Sequence, residues 1–231
     1  MEQLKKYYTE FYAKSSLRDK FPNEYVVRIF RGVYPKLKLS LSDFGGKKIA
    51  DIGCGDGRNL LALANLGLEL YGTEITDEIS QSVQNQLAEA GVKASVKTGV
   101  NRNLPLADEY FDYLLSWNSC YYMGEKENYN DFNDYLKEFS RVLKPNGILV
   151  LSIPMVSNFI FSGSKEIKKG YRLITDDPYK VRNNHVMKCF ENESDIISLF
   201  SDYFENFIFG SIIDDCFGQN NHWHLVVCTR K

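Results

Sequence analysis

Residues 47–59 read Lys-Lys-Ile-Ala-Asp-Ile-Gly-Cys-Gly-Asp-Gly-Arg-Asn, and this stretch decides the fold. An apolar strand pattern comes first, three glycines follow at every second position, and a helix pattern begins at Arg58. Glycine admits positive φ and lets the backbone approach a ligand closely, while the first amides of the helix point towards that ligand. The stretch therefore predicts a ligand-binding bend between a strand and a helix.

Strand and helix patterns alternate from this bend as far as about residue 153. The predicted strands are 48–52, 69–74, 93–98, 111–117 and 148–153, and the predicted helices are 58–66, 77–90 and 129–143. Such alternation with short loops predicts right-handed βαβ units and a parallel sheet that helices cover on both faces. We therefore expect an α/β, Rossmann-like fold.

The two flanks of this core have different patterns. Apolar residues at helical spacing from Leu4 to Tyr12, and Pro22-Asn23 ahead of Val26, predict two helices before the core. A terminal helix over 194–200, with Asn192 or Ser194 as its N-cap, precedes strands 204–213 and 224–229, which must pair as a hairpin. We expect one domain, 1–231, with a helical cap (1–46), a ligand-binding core (47–153), a polar and irregular lid insertion (154–193) and a terminal helix and hairpin (194–231).

Composition and charge exclude several classes of protein. The 231 residues carry a net charge of −2 without a long basic run, so no nucleic-acid partner is expected. No stretch of about 18 apolar residues occurs, which predicts a cytoplasmic protein without a membrane partner. The five cysteines are scattered and predict reduced thiols. We expect no metal, and we interpret the acidic pairs Asp176-Asp177 and Asp214-Asp215 as solvated turns.

The charge beside the glycines indicates which kind of ligand binds. A dinucleotide fold uses a similar bend for a pyrophosphate, but with Gly-x-Gly-x-x-Gly spacing. Here the spacing is Gly-x-Gly-x-Gly, and Asp51 stands two residues ahead of the first glycine. A carboxylate repels phosphate and suits an ammonium group, which favours a cationic sulfonium cofactor. An NAD-dependent oxidoreductase is the alternative enzyme class.

The stretch from Asp51 to Gly57 resembles the glycine-rich first motif of class I S-adenosylmethionine (SAM)-dependent methyltransferases. The resemblance covers about residues 47–153, and the closing hairpin matches the family by pattern. It implies that Glu74, 21 residues after Gly53, accepts hydrogen bonds from both ribose hydroxyls. Val100 occupies the position of the family's adenine-binding Asp, which leaves that contact to Asn101 or to a backbone carbonyl, or unmade.

The family resemblance also implies a fold and a cofactor. The fold is a seven-stranded, mostly parallel sheet with an antiparallel last strand and helices on both faces. The cofactor is SAM, and S-adenosylhomocysteine is the product. The implied cofactor-binding residues are Asp51, Gly53, Cys54, Gly55, Asn59, Glu74, Ile75, Asn101, Asn103, Leu104, Ser116, Trp117 and Asn118.

The sequence favours a small molecule as the methyl acceptor, methylated on oxygen or nitrogen. The loop 116–119 reads Ser-Trp-Asn-Ser, unlike the motif with which nucleic-acid amino-methyltransferases hold a base. Residues 21–28 resemble a short stretch of some bacterial methyltransferases of surface-saccharide pathways, which implies a phosphorylated or sugar-like acceptor. Its predicted contacts lie in the cap, the loop after the fourth strand and the lid: Tyr8, Tyr12, Arg28, Tyr121, Arg172 and Arg182.

Methyl transfer is an in-line displacement, and a hydroxyl acceptor must also lose its proton. His185, in the predicted lid, is the leading candidate for the base, with Tyr122 as a second catalytic candidate. A SAM-binding partner subunit without catalytic activity is the alternative that is not an enzyme. We expect a monomer or a homodimer.

Overall fold

The computed structural model describes residues 2–13, 17 and 21–231. Its strands are β1 (Lys48–Ile52), β2 (Glu69–Glu74), β3 (Ala94–Thr98), β4 (Phe111–Ser116), β5 (Tyr122–Glu125), β6 (Asn128–Tyr129), β7 (Leu143–Pro154), β8 (Ser164–Lys168), β9 (Tyr171–Ile174), β10 (His185–Lys188), β11 (Phe204–Cys216) and β12 (Gln219–Arg230). Its α-helices are α1 (Glu2–Ala13), α2 (Glu24–Arg31), α3 (Arg58–Ala64), α4 (Asp77–Glu89), α5 (Phe132–Val142) and α6 (Glu193–Phe200).

The central sheet has seven strands in the order β11-β12-β7-β4-β1-β2-β3. Neighbours from β7 to β3 are parallel, whereas β12 is antiparallel to both β7 and β11. The predicted seven-stranded sheet with an antiparallel last strand is therefore confirmed. The chain winds in opposite directions on the two sides of β1, which places a ligand crevice at the carboxyl ends of β1 and β4.

Both faces of this sheet are buried. Ile49 and Leu115 belong to one apolar cluster, while Ala50 and Leu114 belong to a second cluster on the opposite face, as strand alternation requires. Helix α5 packs against the second cluster, and it begins where the Asp131 side chain accepts a hydrogen bond from the Asn133 N–H (3.0 Å). The sequence pattern of buried strands alternating with amphipathic helices thus produces two cores separated by the sheet.

The predicted helices of the amino-terminal cap are present as α1 and α2. Asn23 caps α2 by accepting a hydrogen bond from the Tyr25 N–H, and the Thr9 hydroxyl of α1 lies 3.2 Å from the Thr76 hydroxyl that caps α4. Positions 1, 14–16 and 18–20 of the predicted 1–46 cap lie outside the described residues. Within the described ranges, no helix has both the length and the apolar character needed to span a bilayer.

The lid insertion is more regular than the sequence predicts. Strands β8, β9 and β10 join β5 and β6 in a second, antiparallel sheet with the order β6-β5-β10-β9-β8, which we call the accessory sheet. The prediction of an irregular 154–193 segment was wrong, and so was the start of a helix at residue 129, because Asn128–Tyr129 is a strand. These strands are short, and β5 finds its partner β10 some 60 residues later, so local patterning gave little sign of the pairing.

The carboxyl-terminal predictions hold, with longer strands than expected. Asn192 is the N-cap of α6, since its side chain accepts a hydrogen bond from the Asp195 N–H (2.9 Å). Strands β11 and β12 pair along most of their length as the expected hairpin. This hairpin forms the edge of the sheet farthest from β3.

Candidate functional site

The glycine bend lies between β1 and α3 at the carboxyl end of the central strand. Gly53, Gly55 and Gly57 all have positive φ (71°, 61° and 80°). A Cβ atom at Gly53 would lie 2.6 Å from the Ser119 Cβ, and one at Gly55 would lie 2.8 Å from the Tyr12 Oη. The bend therefore needs glycine both for its backbone conformation and for the close approach of its neighbours.

Asp51 lies beneath this bend as an unpaired buried carboxylate. The residue is only 1% exposed, and neither carboxylate oxygen has a hydrogen-bond partner among the described residues. Burial, together with the negative charges of Glu74 and Asp56, raises the pKa of Asp51 to about 8. A cationic group bound above the bend would offset this unfavourable burial.

Glu74 ends β2 and connects the bend to a cavity. One carboxylate oxygen accepts a hydrogen bond from the Gly55 N–H (2.6 Å), and the other accepts one from the Ile75 N–H (2.9 Å). Burial raises its pKa to about 7, although these two amides lower it. A carboxylate oxygen has two lone pairs, so each oxygen retains capacity for a ligand hydroxyl. Glu74 lines the cavity and does not turn away from it.

Two neighbouring cavities meet at the bend. The first, about 140 Å³, includes Glu74, Ile75, Val100 and Asn101 in its wall. The second, about 180 Å³, is lined by Tyr12, Asn23, Gly53, Cys54, Gly55, Asp56, Arg58, Asn59, Trp117 and Asn118. Tyr12, Gly53 and Asn118 line both cavities. Helix α1 therefore covers the glycine bend through Tyr12, where the two spaces meet.

Most of the predicted cofactor-binding residues line these cavities or lie directly beneath them. Those in the walls are Gly53, Cys54, Gly55, Asn59, Glu74, Ile75, Asn101, Trp117 and Asn118. The Asn118 side-chain oxygen accepts a hydrogen bond from the Ser152 hydroxyl (2.8 Å), which fixes its amide at the carboxyl end of β4. The Asn59 side chain accepts a hydrogen bond from the Asn23 N–H (3.0 Å) and so connects α3 to the start of α2.

Besides Asp51, three predicted cofactor residues lie outside the cavity walls. Asn103 is exposed, and its N–H closes a turn onto the Val100 carbonyl (2.8 Å). Leu104 packs in the apolar cluster that contains residues of α5, and its N–H donates a hydrogen bond to the Glu138 carboxylate of that helix (2.8 Å). Ser116 is fully buried, and its hydroxyl lies 2.9 Å from that of Ser119. Their positions give them structural roles.

Sequence reasoning missed Ser119 and Tyr135, which both line the first cavity. The Ser119 hydroxyl donates a hydrogen bond to the Ile52 carbonyl (2.5 Å) and so joins the loop after β4 to the end of β1. The Tyr135 hydroxyl donates to the Tyr122 carbonyl (2.8 Å). Ser119 belongs to the loop 116–119, and Tyr135 lies in the predicted helix 129–143, within a tyrosine-rich stretch that could line a pocket.

A cluster of phenols and one guanidinium closes the first cavity. The Tyr8 and Tyr122 hydroxyl oxygens lie 2.6 Å apart, and the Arg182 Nε donates to the Tyr122 oxygen (3.4 Å). Arg182 also donates to Asp177 (2.8 Å), whose side chain is fully buried. The interpretation of Asp177 as part of a solvated turn was wrong, because it pairs with this guanidinium and accepts two backbone N–H groups. Tyr8, Tyr122 and Arg182 therefore come together as predicted substrate and catalytic residues.

Three other predicted acceptor contacts lie elsewhere. Arg28 is on the exposed side of α2, where it pairs with Glu24. Tyr121 is buried and stacks on Tyr122, with ring centroids 4.7 Å apart. The Arg172 Nε donates to the Ser164 hydroxyl (2.7 Å) across the accessory sheet. Each side chain has a local partner, and none of them lines the two cavities at the bend.

His185 lies in the interior of the accessory sheet. Its Nδ1 is 3.1 Å from the Asn183 carbonyl, and its Nε2 has no hydrogen-bond partner among the described residues. Burial lowers its pKa. His185 does not line either cavity at the bend, so the structure gives no contact through which it would reach an acceptor.

Comparison with known proteins identifies the core. Residues 50–151 match the family described as "Methyltransferase domain". Residues 50–151 therefore form a methyltransferase domain, and its fold is that of class I methyltransferases. A "Ubiquinone biosynthesis O-methyltransferase" of Azorhizobium caulinodans is 30% identical to the chain over 113 residues, which cover 49% of this chain and 42% of that relative. The chain thus matches less than half the length of this curated relative.

Solved methyltransferase structures share the whole fold. A SAM-dependent methyltransferase of Thermotoga maritima superposes with a TM-score of 0.62 at 20% identity and covers 100% of both chains. The 1,6-didemethyltoxoflavin-N1-methyltransferase of Burkholderia thailandensis, solved with its substrate and S-adenosylhomocysteine, has a TM-score of 0.68 at 12% identity, covering 100% of this chain and 88% of that one. At these identities the likeness concerns the fold.

The methyltransferase domain fits its cofactor at the bend. SAM carries an ammonium and a sulfonium, and the unpaired carboxylate of Asp51 lies where a cation is needed. The lone pairs of Glu74 suit the ribose hydroxyls. Glycine at 53 and 55 admits the close approach that a Cβ atom would prevent. Within the described residues, no group of three metal-binding side chains occurs.

Proposed function

We propose that this protein transfers the methyl group of SAM to an oxygen atom of a small hydroxylated molecule. The observation that carries the proposal is the unpaired, buried Asp51 carboxylate beneath a glycine bend whose neighbour Glu74 lines a cavity. The O-methyltransferase name of the curated relative supports oxygen as the acceptor atom.

The cofactor would lie across the two cavities. Its ammonium end would be near Asp51 and the second cavity, its ribose at Glu74, and its adenine between Ile75 and Asn101. Val100 brings no hydrogen-bonding side chain to the adenine, so Asn101, whose amide nitrogen is 3.5 Å from the Ser119 carbonyl, is the side chain assigned to that contact. SAM supplies the activated methyl group when it is bound, and the chain aligns the acceptor and excludes water.

The acceptor would bind beside Tyr8, Tyr122 and Arg182. Burial, followed by the proximity of Tyr122, raises the pKa of Tyr8, so Tyr8 remains a neutral hydrogen-bond donor. We assign Tyr122, in its phenolate form, the role of receiving the proton of the acceptor hydroxyl, because the Arg182 guanidinium and the Tyr8 hydroxyl beside it would both stabilise that phenolate until the proton neutralises it. Asp177 holds Arg182 in place. These roles replace the base assigned to His185.

A surface-saccharide acceptor gains no support from the structure or the relatives reported above. The residues that suggested it, 21–28, include Arg28, which pairs with Glu24 on the exposed side of α2. The wall of the cavity beside the bend instead includes four tyrosines, Tyr8, Tyr12, Tyr122 and Tyr135. Aromatic side chains in the wall favour a flat or ring-shaped hydroxylated acceptor.

Calorimetry tests the cofactor half of the proposal. We expect S-adenosylhomocysteine to bind to the purified protein and NAD to give no heat. Asp51→Asn should weaken cofactor binding at least ~10-fold, because the amide cannot ionise opposite the bound ammonium as the carboxyl group can. Asp108→Asn, which changes an exposed carboxylate paired with Arg141, is the matched control. Binding of NAD without S-adenosylhomocysteine would refute the assignment.

Turnover tests the acceptor half. Radiolabelled SAM would be incubated with phenols and catechols, sugar phosphates, and small amines. We expect transfer to hydroxylated rings, with Tyr122→Phe reducing kcat by ~10- to 100-fold while S-adenosylhomocysteine affinity is retained. Transfer to amines alone would contradict the oxygen assignment. Cofactor binding without turnover of any acceptor class would support the partner-subunit alternative.

A further inference from the structure

A further cavity, separate from the two at the glycine bend, lies on the accessory sheet around Lys188. It encloses about 320 Å³ between the β8–β9 turn, the residues after β10 and helix α6. Lys188 lies at the end of β10 and is only 6% exposed, yet it lines this cavity. Neither the cofactor nor the acceptor site uses it.

The Lys188 ammonium lacks a counter-charge. Its Nζ lies over two aromatic rings, 4.6 Å from the centroid of Tyr171 and 4.3 Å from that of Phe190, and these cation–π contacts partly stabilise the charge, but among the described residues it forms no ion pair. The two neighbouring lysines differ, because Lys168 pairs with Asp131 (3.1 Å) and Lys169 pairs with Asp195 (2.8 Å). The nearby carboxylates are thus engaged by these exposed lysines.

The absence of a side chain at position 170 leaves room for the Lys188 amine. Gly170 has φ +70°, and a Cβ atom there would lie only 2.5 Å from the Lys188 Nζ. The glycine turn therefore opens the cavity directly onto the nitrogen. Burial lowers the pKa of Lys188 to about 8, and the positive charge of Lys168 adds to this effect, while Cys189, Asp131 and Asp195 oppose it. A larger fraction of Lys188 than of an ordinary lysine is therefore neutral and nucleophilic near neutral pH.

We propose that Lys188 is a nucleophilic lysine that small acyl phosphates modify through this cavity. The Nζ lone pair attacks the carbonyl carbon, a C–N bond forms, the C–O bond to phosphate breaks, and phosphate leaves with the electron pair. The ammonium proton passes to solvent. The product amide is neutral, so acylation removes a desolvated charge that no carboxylate pairs. The proposal does not depend on the methyltransferase activity.

Site-resolved mass spectrometry after brief exposure of the intact protein to acetyl phosphate tests this inference. Lys169 is the internal control, because it borders the same cavity, is exposed, and has its pKa raised by Asp195. The pKa of Lys188 is about 8, whereas that of an ordinary lysine is 10.5. Near pH 7 the neutral fraction of Lys188 is therefore ~300-fold larger than that of an ordinary lysine. Restricted access offsets part of this difference, so we expect acetylation of Lys188 at least ~10-fold faster than that of Lys169.

The pH dependence makes the test sharper. Acetylation of Lys188 should level off above about pH 8, whereas that of Lys169 should continue to rise with pH to beyond pH 10. Gly170→Ala keeps the lysine but crowds its nitrogen, and we expect it to slow Lys188 acetylation at least ~5-fold without changing Lys169. Equal acetylation rates of the two lysines from pH 6.5 to 9 in the wild type would overturn the proposal.

Discussion

The Tyr8 and Tyr122 hydroxyl oxygens lie 2.6 Å apart and join the amino-terminal helix to the accessory sheet. The two rings meet edge to face, with centroids 6.2 Å apart. Tyr12 lies one turn further along α1 and covers the glycine bend. The hydrogen bond between Tyr8 and Tyr122 therefore holds helix α1 over the proposed cofactor site. Two segments separated by 114 residues thus close the same cavity.

Loss of this hydrogen bond should weaken the attachment of helix α1 above the glycine bend. If helix α1 must close over the ligand, the Tyr8–Tyr122 hydrogen bond contributes a net ~1 kcal/mol to binding. Tyr8→Phe should therefore bind S-adenosylhomocysteine about five-fold more weakly than wild type. Calorimetry measures the change, and Tyr7→Phe, on the exposed side of the same helix, is the control. Equal affinities of Tyr8→Phe and wild type would show that the hydrogen bond does not hold α1 over the ligand.

The acidic groups beneath the bend predict how stability depends on pH. The folded pKa values of Asp51 and Glu74 are raised to about 8 and about 7, so between about pH 4 and pH 8 the folded state holds protons that the unfolded state has lost. The free energy of unfolding without cofactor should therefore fall as pH rises through 7 and 8. We expect Tm to drop by several degrees from pH 6 to pH 8.5.

Asp51→Asn should reduce the loss of stability at high pH, because the amide stays neutral at every pH. The variant should be more stable than wild type at pH 8.5 by ~1–3 kcal/mol and yet bind S-adenosylhomocysteine more weakly. Thermal unfolding at both pH values measures the effect. The same pH slope in the variant and the wild type would mean that Asp51 is charged throughout this range.

Gly55→Ala separates backbone strain from loss of the ligand site. Alanine at φ +61° costs ~1 kcal/mol of stability, and its Cβ would also collide with Tyr12. Gly91 has φ +76° with no atom within 4 Å of a Cβ, so Gly91→Ala is a matched control for the backbone cost. We expect both variants to lose stability, and only Gly55→Ala to lose ~10-fold or more in S-adenosylhomocysteine affinity. Comparable affinity losses in both would refute the specific role of the bend.

His185→Gln should leave catalysis almost unchanged. The side chain is buried in the accessory sheet and does not line the cavities at the bend, so we expect kcat within ~3-fold of wild type and a pH profile of the same shape. Steady-state kinetics with the acceptor found in the turnover screen provides the measurement. A loss of 100-fold in kcat with unchanged cofactor affinity would restore His185 as the base.

The cofactor half of the site was largely predictable from the sequence. Asp51, the glycines after it and Glu74 lie within about 25 residues of one another, on two adjacent strands and the turns that follow them. Parallel strands place their carboxyl ends at one edge, so a local motif is enough to assemble these residues. Family spacing gave Leu104 a position along the chain, but it did not reveal that the side chain packs in the apolar cluster with residues of α5.

The proposed acceptor site was less predictable, because its residues come from distant segments. Tyr8, Tyr122 and Arg182 were each named as candidates, but only the pairing of β5 with β10 brings the last two together. The same pairing places His185 in the interior of a sheet and outside the walls of the cavities at the bend, which its position in the predicted lid did not reveal.

The sequence by itself determined the alternation of strands and helices, the glycine bend and the carboxylates beside it, because these depend on contacts between near neighbours and on the geometry of parallel strands. Only the tertiary structure decided that the 154–193 segment forms an accessory sheet, that Asp177 is buried against Arg182, and that Lys188 lies unpaired between two aromatic rings. Those outcomes depend on strand pairing and burial between residues far apart in the chain, for which short, mixed-polarity strands give no local periodic signal.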